Sequence, residues 1–70
     1  MKINNGMDVT IHMEDNTIYF GKVMSTEITI VNGNLDAWIT IVQPYDDTIS
    51  TEEYGTGTFG LKSIKKITAK

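Results

Sequence analysis

The sequence predicts an all-β protein: one small domain over residues 1–70, a five- to six-stranded barrel made from a strongly bent antiparallel sheet. Three observations predict it. Ten isoleucines and ten threonines among 70 residues favour a pleated backbone, because branched side chains suit a half-buried sheet surface. Apolar residues recur at alternate positions in several short runs, and no window holds a sustained helical stripe. Turn chemistry separates these runs at roughly ten-residue spacing, the rhythm of a small barrel or sandwich.

The elements follow in order. Met7, Val9, Ile11 and Met13 alternate with Asp8, Thr10 and His12, giving a first strand over residues 7–13 with one apolar face. Glu14-Asp15-Asn16 supplies a turn, since Asp and Asn tolerate left-handed backbone and bond nearby amides. A second strand is expected over 17–25, with Gly21 marking a bend or a close backbone approach. A third, over 27–31, places Ile28 and Ile30 inward and runs into Asn32-Gly33, a hairpin signal because both turn positions need positive φ. The fourth, over 37–42, turns Ile39 and Ile41 inward and ends at Gln43-Pro44, where proline has no amide to donate. Residues 45–57 read as a polar, acidic loop with a short strand near 48–51. Residues 58–61 read as a strand, and 63–67 as a tight turn into a last short strand carrying Ile64 and Ile67.

Composition narrows the function classes. With no cysteine and one histidine, the chain has neither a disulfide framework nor a thiolate or multi-histidine metal site, and no cofactor is expected. No Cys-His or Ser-His-Asp grouping presents an activated nucleophile, so an enzyme is not expected. MKINNG is not followed by an apolar run, and no stretch approaches the ~20 apolar residues of a membrane span, so a cytoplasmic protein without membrane contact is expected. Nine carboxylates against six lysines and no arginine give a net charge of −3, which leans against generic nucleic-acid binding. Four of the lysines nonetheless fall at Lys62, Lys65, Lys66 and Lys70. A chain this short buries only ~60% of its unfolded surface, so association into a homo-oligomer is expected to supply the missing burial.

The segment VTIHMEDNTIYFGKV, residues 9–23, resembles the first motif of the Sm and Sm-like proteins. Met13, Asp15, Tyr19, Gly21 and Val23 fall at that motif's spacings, with Asn16 in place of its turn glycine. The resemblance implies a small Sm-like barrel and, through it, a ring or smaller oligomer. It does not imply uridine-type RNA binding. The family holds bases with an Asp…Met-Asn loop and an Arg-Gly…Asn loop, whereas the corresponding segments here read TEITIV and FGLKSIKKI.

Two groups of candidate residues emerge. Trp38 shares a face with Thr40 and Val42, opposite Ile39 and Ile41, so it is either a contact residue or a cap on an open barrel end. Ile18 and Phe20 make the second face of their strand apolar, which calls for bending at Gly21 or for a partner surface. Tyr45, Asp46, Asp47 and Tyr54, with Glu52 and Glu53, form an acidic, aromatic loop that is a solvated connection or a docking surface. Lys62, Lys65 and Lys66, with Thr56 and Thr58 of a Gly-Thr-Gly-Thr turn, form the candidate anion site; the lysines would otherwise guard a terminal strand against edge pairing. His12 reads as a solvated residue beside Asp8.

These features support a non-catalytic, homo-oligomeric binding module holding a small anionic ligand, nucleotide or short RNA, or a subunit partner. The alternative is a mobile-element (phage-type) inhibitor or adaptor docking on a host protein through the acidic, aromatic surface. A structural component of a larger assembly is the third reading.

Overall fold

Alternation carries the chain into five strands, β1 (Asp8–Met13), β2 (Ile18–Val31), β3 (Asn34–Val42), β4 (Thr56–Gly60) and β5 (Ile64–Ala69), with a one-turn 3-10 helix at Leu61–Ser63. The computed structural model describes residues 2–43 and 55–69. The expected loop strand near 48–51 and the residues Tyr45, Asp46, Asp47, Glu52, Glu53, Tyr54 and Lys70 lie outside the described residues. All strand pairs are antiparallel, in the order β4-β3-β2-β1-β5.

The turns form as their residues dictate. Asn16 takes φ 70° where the motif would have glycine, and the Thr17 amide donates to Asp15 Oδ1 at 2.9 Å. Asn32 and Gly33 both have positive φ, 51° and 78°, as a type I′ hairpin requires.

The sheet is not closed into a barrel, which corrects the expected closure. β4 pairs with β3 and β5 with β1, and among the described residues each leaves its other edge free. The sheet is nevertheless rolled, because its two edges are consecutive in sequence. Three residues of 3-10 helix advance the chain only about 6 Å, whereas opposite edges of a flat five-stranded sheet stand about 19 Å apart. The roll brings Tyr19 of β2 against Phe59 of β4, with ring centroids 4.7 Å apart across the concave face.

Val9, Ile11, Val23, Ile39 and Ile41 fill that concave face and are the buried core. Tyr19, Phe59, Ile64 and Ile67 pack around them, together with Ile3 and Met7 from the leading segment. That segment is held to β2 by the Gly6 amide on the Val23 carbonyl and the Val23 amide on the Met7 carbonyl, at 2.7 and 2.8 Å.

The strands expected over 17–25 and 27–31 are one strand. The alternation does change phase between them, but through a bulge at Met24: Val23 opposes Ile41, then Ser25 opposes Thr40. A bulge inserts one unpaired residue and flips the faces without ending the strand. Core-facing positions pass from Tyr19, Gly21 and Val23 to Thr26, Ile28 and Ile30. Ile28 and Ile30 thus lie on the expected face but are not buried; they are 71% and 73% exposed, because the hairpin runs past everything that would cover it.

Three smaller expectations also change. β3 starts at Asn34, since the I′ turn lets pairing begin beside it. Thr56 to Thr58 is strand rather than turn, registered against β3. Leu61 leaves the strand for the 3-10 turn.

Candidate ligand-binding surface

The convex face is built from the residues that alternate with the core. Residues opposed in register share a face, so two rows cross β2, β1 and β5: Phe20–Thr10–Thr68 and Ile18–His12–Lys66. Between His12 and Met13 the register with β5 slips, with Met13 opposing Ile64, and Lys65 becomes the extra residue of the slip. That irregularity places two successive lysines beside His12. Together with Met13, Asn16 and Ile18 they line a hollow of about 340 Å³ that no carboxylate among the described residues lines.

Phe20, 49% exposed, stands in the next row. Beyond it lies a shallow groove of about 490 Å³ lined by Phe20, Gly21, Val42 and Gln43, with Asp8 and Lys22 at one side. Lys22 Nζ is 3.2 Å from Asp8 Oδ1 and 3.3 Å from the Gly6 carbonyl, so these charges are matched within the wall. The groove exists because the backbone of β3 crosses tightly over β2. A Cβ on Gly21 would stand 2.4 Å from the Val42 carbonyl oxygen, the close approach expected of an interior glycine.

The candidate residues are only partly united. Ile18, Phe20, Lys65 and Lys66 meet on one surface, with His12 half-buried among them. Thr56 and Thr58 are on β4, at the opposite edge of the sheet. The Thr58 hydroxyl is taken up by the Thr40 hydroxyl at 2.9 Å, in a hollow that also holds Glu27, an unsuitable neighbour for an anion. Lys62 sits on the 3-10 turn with Nζ 4.0 Å from Asp36 Oδ2. The expected five-residue anion site is therefore not assembled within one chain; strand order, which alternation does not reveal, separates its halves.

Trp38 faces outward as expected, in the row Gly60–Trp38–Glu27. It is half-buried and lies over Gly60, whose added Cβ would stand 3.6 Å from the indole Nε1. Lys22 and Ser25 separate it along β2 from Ile18 and Phe20, so the three do not form one patch.

Asn16 and His12 are the residues that sequence reasoning passed over as turn and solvent. The readable signal was position: His12 alternates outward with Thr10, and Asn16 occupies the turn leading to Ile18. Among the described residues, no group of three His, Asp or Glu side chains is placed to hold a metal ion. The chain matches no protein-family model, no curated protein and no solved structure.

Proposed function

We propose that this chain is a non-catalytic binding module, an open, rolled five-stranded sheet, that holds an anionic, aromatic ligand on its convex face. The ligand class is a nucleotide or a short single-stranded RNA. One observation carries this reading: Lys65 and Lys66 share a carboxylate-free hollow with His12 and Asn16, next to the exposed ring of Phe20. Lysines act as point charges toward phosphate. Stacking of a base on an aromatic ring contributes about 1–3 kcal/mol and tolerates any sequence, because every base has a π face. The phosphate would sit in the basic hollow and the base on Phe20, toward the Val42 groove. In a chain of net charge −3, such a local basic hollow favours a small ligand over a long polyanion.

The test is fluorescence anisotropy with a labelled hexauridylate, and calorimetry with ATP, on the full chain. Lys65→Ala/Lys66→Ala is expected to weaken binding at least tenfold and to flatten the oligonucleotide's salt slope by about 1.4, at ~0.7 per phosphate contact. Lys62→Ala, outside the hollow, should leave both unchanged. Absence of binding by the wild-type chain, or equal binding by the double variant, would overturn the proposal. A docking module for a host protein is the second reading. It is supported by the exposure of Ile18, Phe20, Met24 and Val42; its acidic residues Asp46 and Asp47 lie outside the described residues.

A further inference from the structure

Beyond the bulge at Met24 the sheet is reduced to two strands. β1 pairs with β2 only as far as Lys22, the leading segment bonds it last at Val23, and β4 pairs with β3 only as far as Trp38. Among the described residues, the hairpin over 25–37 therefore has no hydrogen-bonded neighbour but itself. A two-stranded hairpin standing alone in water is marginal at best.

This hairpin is also amphipathic. One face carries Thr26, Ile28, Ile30, Leu35 and Ala37 and continues into Ile39 and Ile41 of the core. The other carries Glu27, Thr29, Asp36 and Trp38. Such alternation is the pattern of a sheet buried on one side. Yet Ile28, Ile30 and Leu35 are 71%, 73% and 66% exposed. At their base a groove of about 220 Å³, bounded by Ile3, Leu61, Ile64 and Ile67, opens toward the same side.

We infer that the hairpin is a dimerisation arm, its apolar face packing on the same face of a second copy of this chain across a two-fold axis. Three features favour a second copy over another partner. Among the described residues the hairpin side chains on this face, Thr26, Ile28, Ile30, Leu35 and Ala37, are uncharged, and Glu27 at the groove below is the one carboxylate beside them. A face matched to itself is what an isologous interface requires. The area also fits. The accessible surface is 5106 Å², against about 4,400 Å² for a compact monomer of this mass. The excess of ~700 Å², taken over the whole chain, is of the order of the ~800 Å² per partner of a standard stable interface. The homo-oligomer expected from composition thus forms through Ile28, Ile30 and Leu35, not through Ile18, Phe20 and Trp38. The arm's apolar side is opposite the ligand surface, so neither proposal depends on the other.

The experiment is sedimentation velocity of the full chain from about 5 to 200 μM. Wild type is expected at twice the 7.8 kDa chain mass. Ile28→Asp/Ile30→Asp should weaken association at least about 30-fold, with a cooperative thermal unfolding transition kept, because neither position belongs to the buried core. Phe20→Asp should remain dimeric. The chain lacks cysteine, so Ile30→Cys gives a unique thiol. A short bismaleimide should join two copies through it and fail with Val31→Cys, 55% exposed on the other face, a readout that needs no destabilising change. A wild-type monomer throughout the range, or a dimer retained by the double aspartate variant, overturns the inference.

Discussion

Replacing Gly21 by alanine tests the close crossing of β3 over β2, on which both the roll of the sheet and the Val42 groove depend. The added Cβ would meet the Val42 carbonyl oxygen at 2.4 Å, the Val42 carbonyl carbon at 3.0 Å and the Gln43 Cα at 3.2 Å, all of them backbone atoms. Ordinary carbon–oxygen contacts begin near ~3.3 Å, so the end of β3 must retreat by about 1 Å. It is not free to do so. Val42 is registered against both Lys22 and Thr56, and the Gln43 amide donates to the Gly55 carbonyl at 2.8 Å. Overpacking of this kind costs about 1–3 kcal/mol, while the lower entropy of the unfolded alanine chain returns about 0.4–1 kcal/mol. The expected net loss is about 1–2 kcal/mol. Gly60→Ala is the internal control. Its backbone is extended, φ −76° and ψ 138°, and its Cβ would meet only the Trp38 indole, at 3.6 Å. It should be neutral or stabilising by up to about 1 kcal/mol. Urea titration at one fixed chain concentration reads both variants. With a slope near ~1 kcal/mol/M, the Gly21→Ala midpoint falls by about 1–2 M and the Gly60→Ala midpoint stays or rises. If Gly21→Ala matched wild type, or Gly60→Ala were the worse of the two, the close crossing would not be what shapes the sheet.

Two further outcomes are expected. Ile41 is fully buried, and Ile41→Ala should cost about 2–5 kcal/mol. That is a large share of the roughly 3.5–10 kcal/mol available to a chain of this length, so thermal melting should show a variant partly unfolded at 37 °C; a melting temperature within a few degrees of wild type would contradict the placement of the core. Asp15 is held below its usual carboxylate value of 3.8 by the Thr17 hydroxyl and then the Thr17 amide. A depressed folded pKa contributes stability that is present above the unfolded value and lost as pH falls through the folded one. Asp15→Ala should therefore be less stable than wild type at pH 7, with the gap closing as pH falls below the ordinary value of 3.8; a gap that stayed constant with acidification would rule out the carboxylate as its source.

Local chemistry was legible where one residue decides one torsion or one face. The alternation around Val9 and Ile11, the positive φ at Asn32-Gly33, the crowding at Gly21 and the outward turn of Trp38 all follow from the sequence alone. What was not legible depends on residues distant in sequence. A change of phase near Ser25 reads equally as a turn between strands or as a bulge within one, and only β3 continuing on the far side of the hairpin makes it a bulge. Ile28 and Ile30 carry the pattern of buried residues, but burial depends on what lies above them, and among the described residues of one chain nothing covers them. The anion site was divided for the same reason. Lys65, Lys66, Thr56 and Thr58 are near in sequence, yet β5 returns to β1 and leaves β4 at the other edge.

The bulge at Met24 also sets where each surface points. Before it, β2 presents Tyr19 and Val23 to the core, leaving Ile18 and Phe20 on the convex side beside His12 and Lys66. After it the phase is inverted, and Ile28 and Ile30 fall on the concave side. Without the extra residue, a strand of unbroken alternation would carry Glu27 and Thr29 onto the core side and set the isoleucines on the same face as Phe20. One apolar strip would then run the length of the convex face, and self-association through it would compete with the basic hollow for the same surface. The inserted residue separates the two proposed surfaces onto opposite sides of a single strand. A sheet with five buried core residues among the described residues would thus, on the two proposals, offer one side of its longest strand to its own copy and keep the other for a ligand.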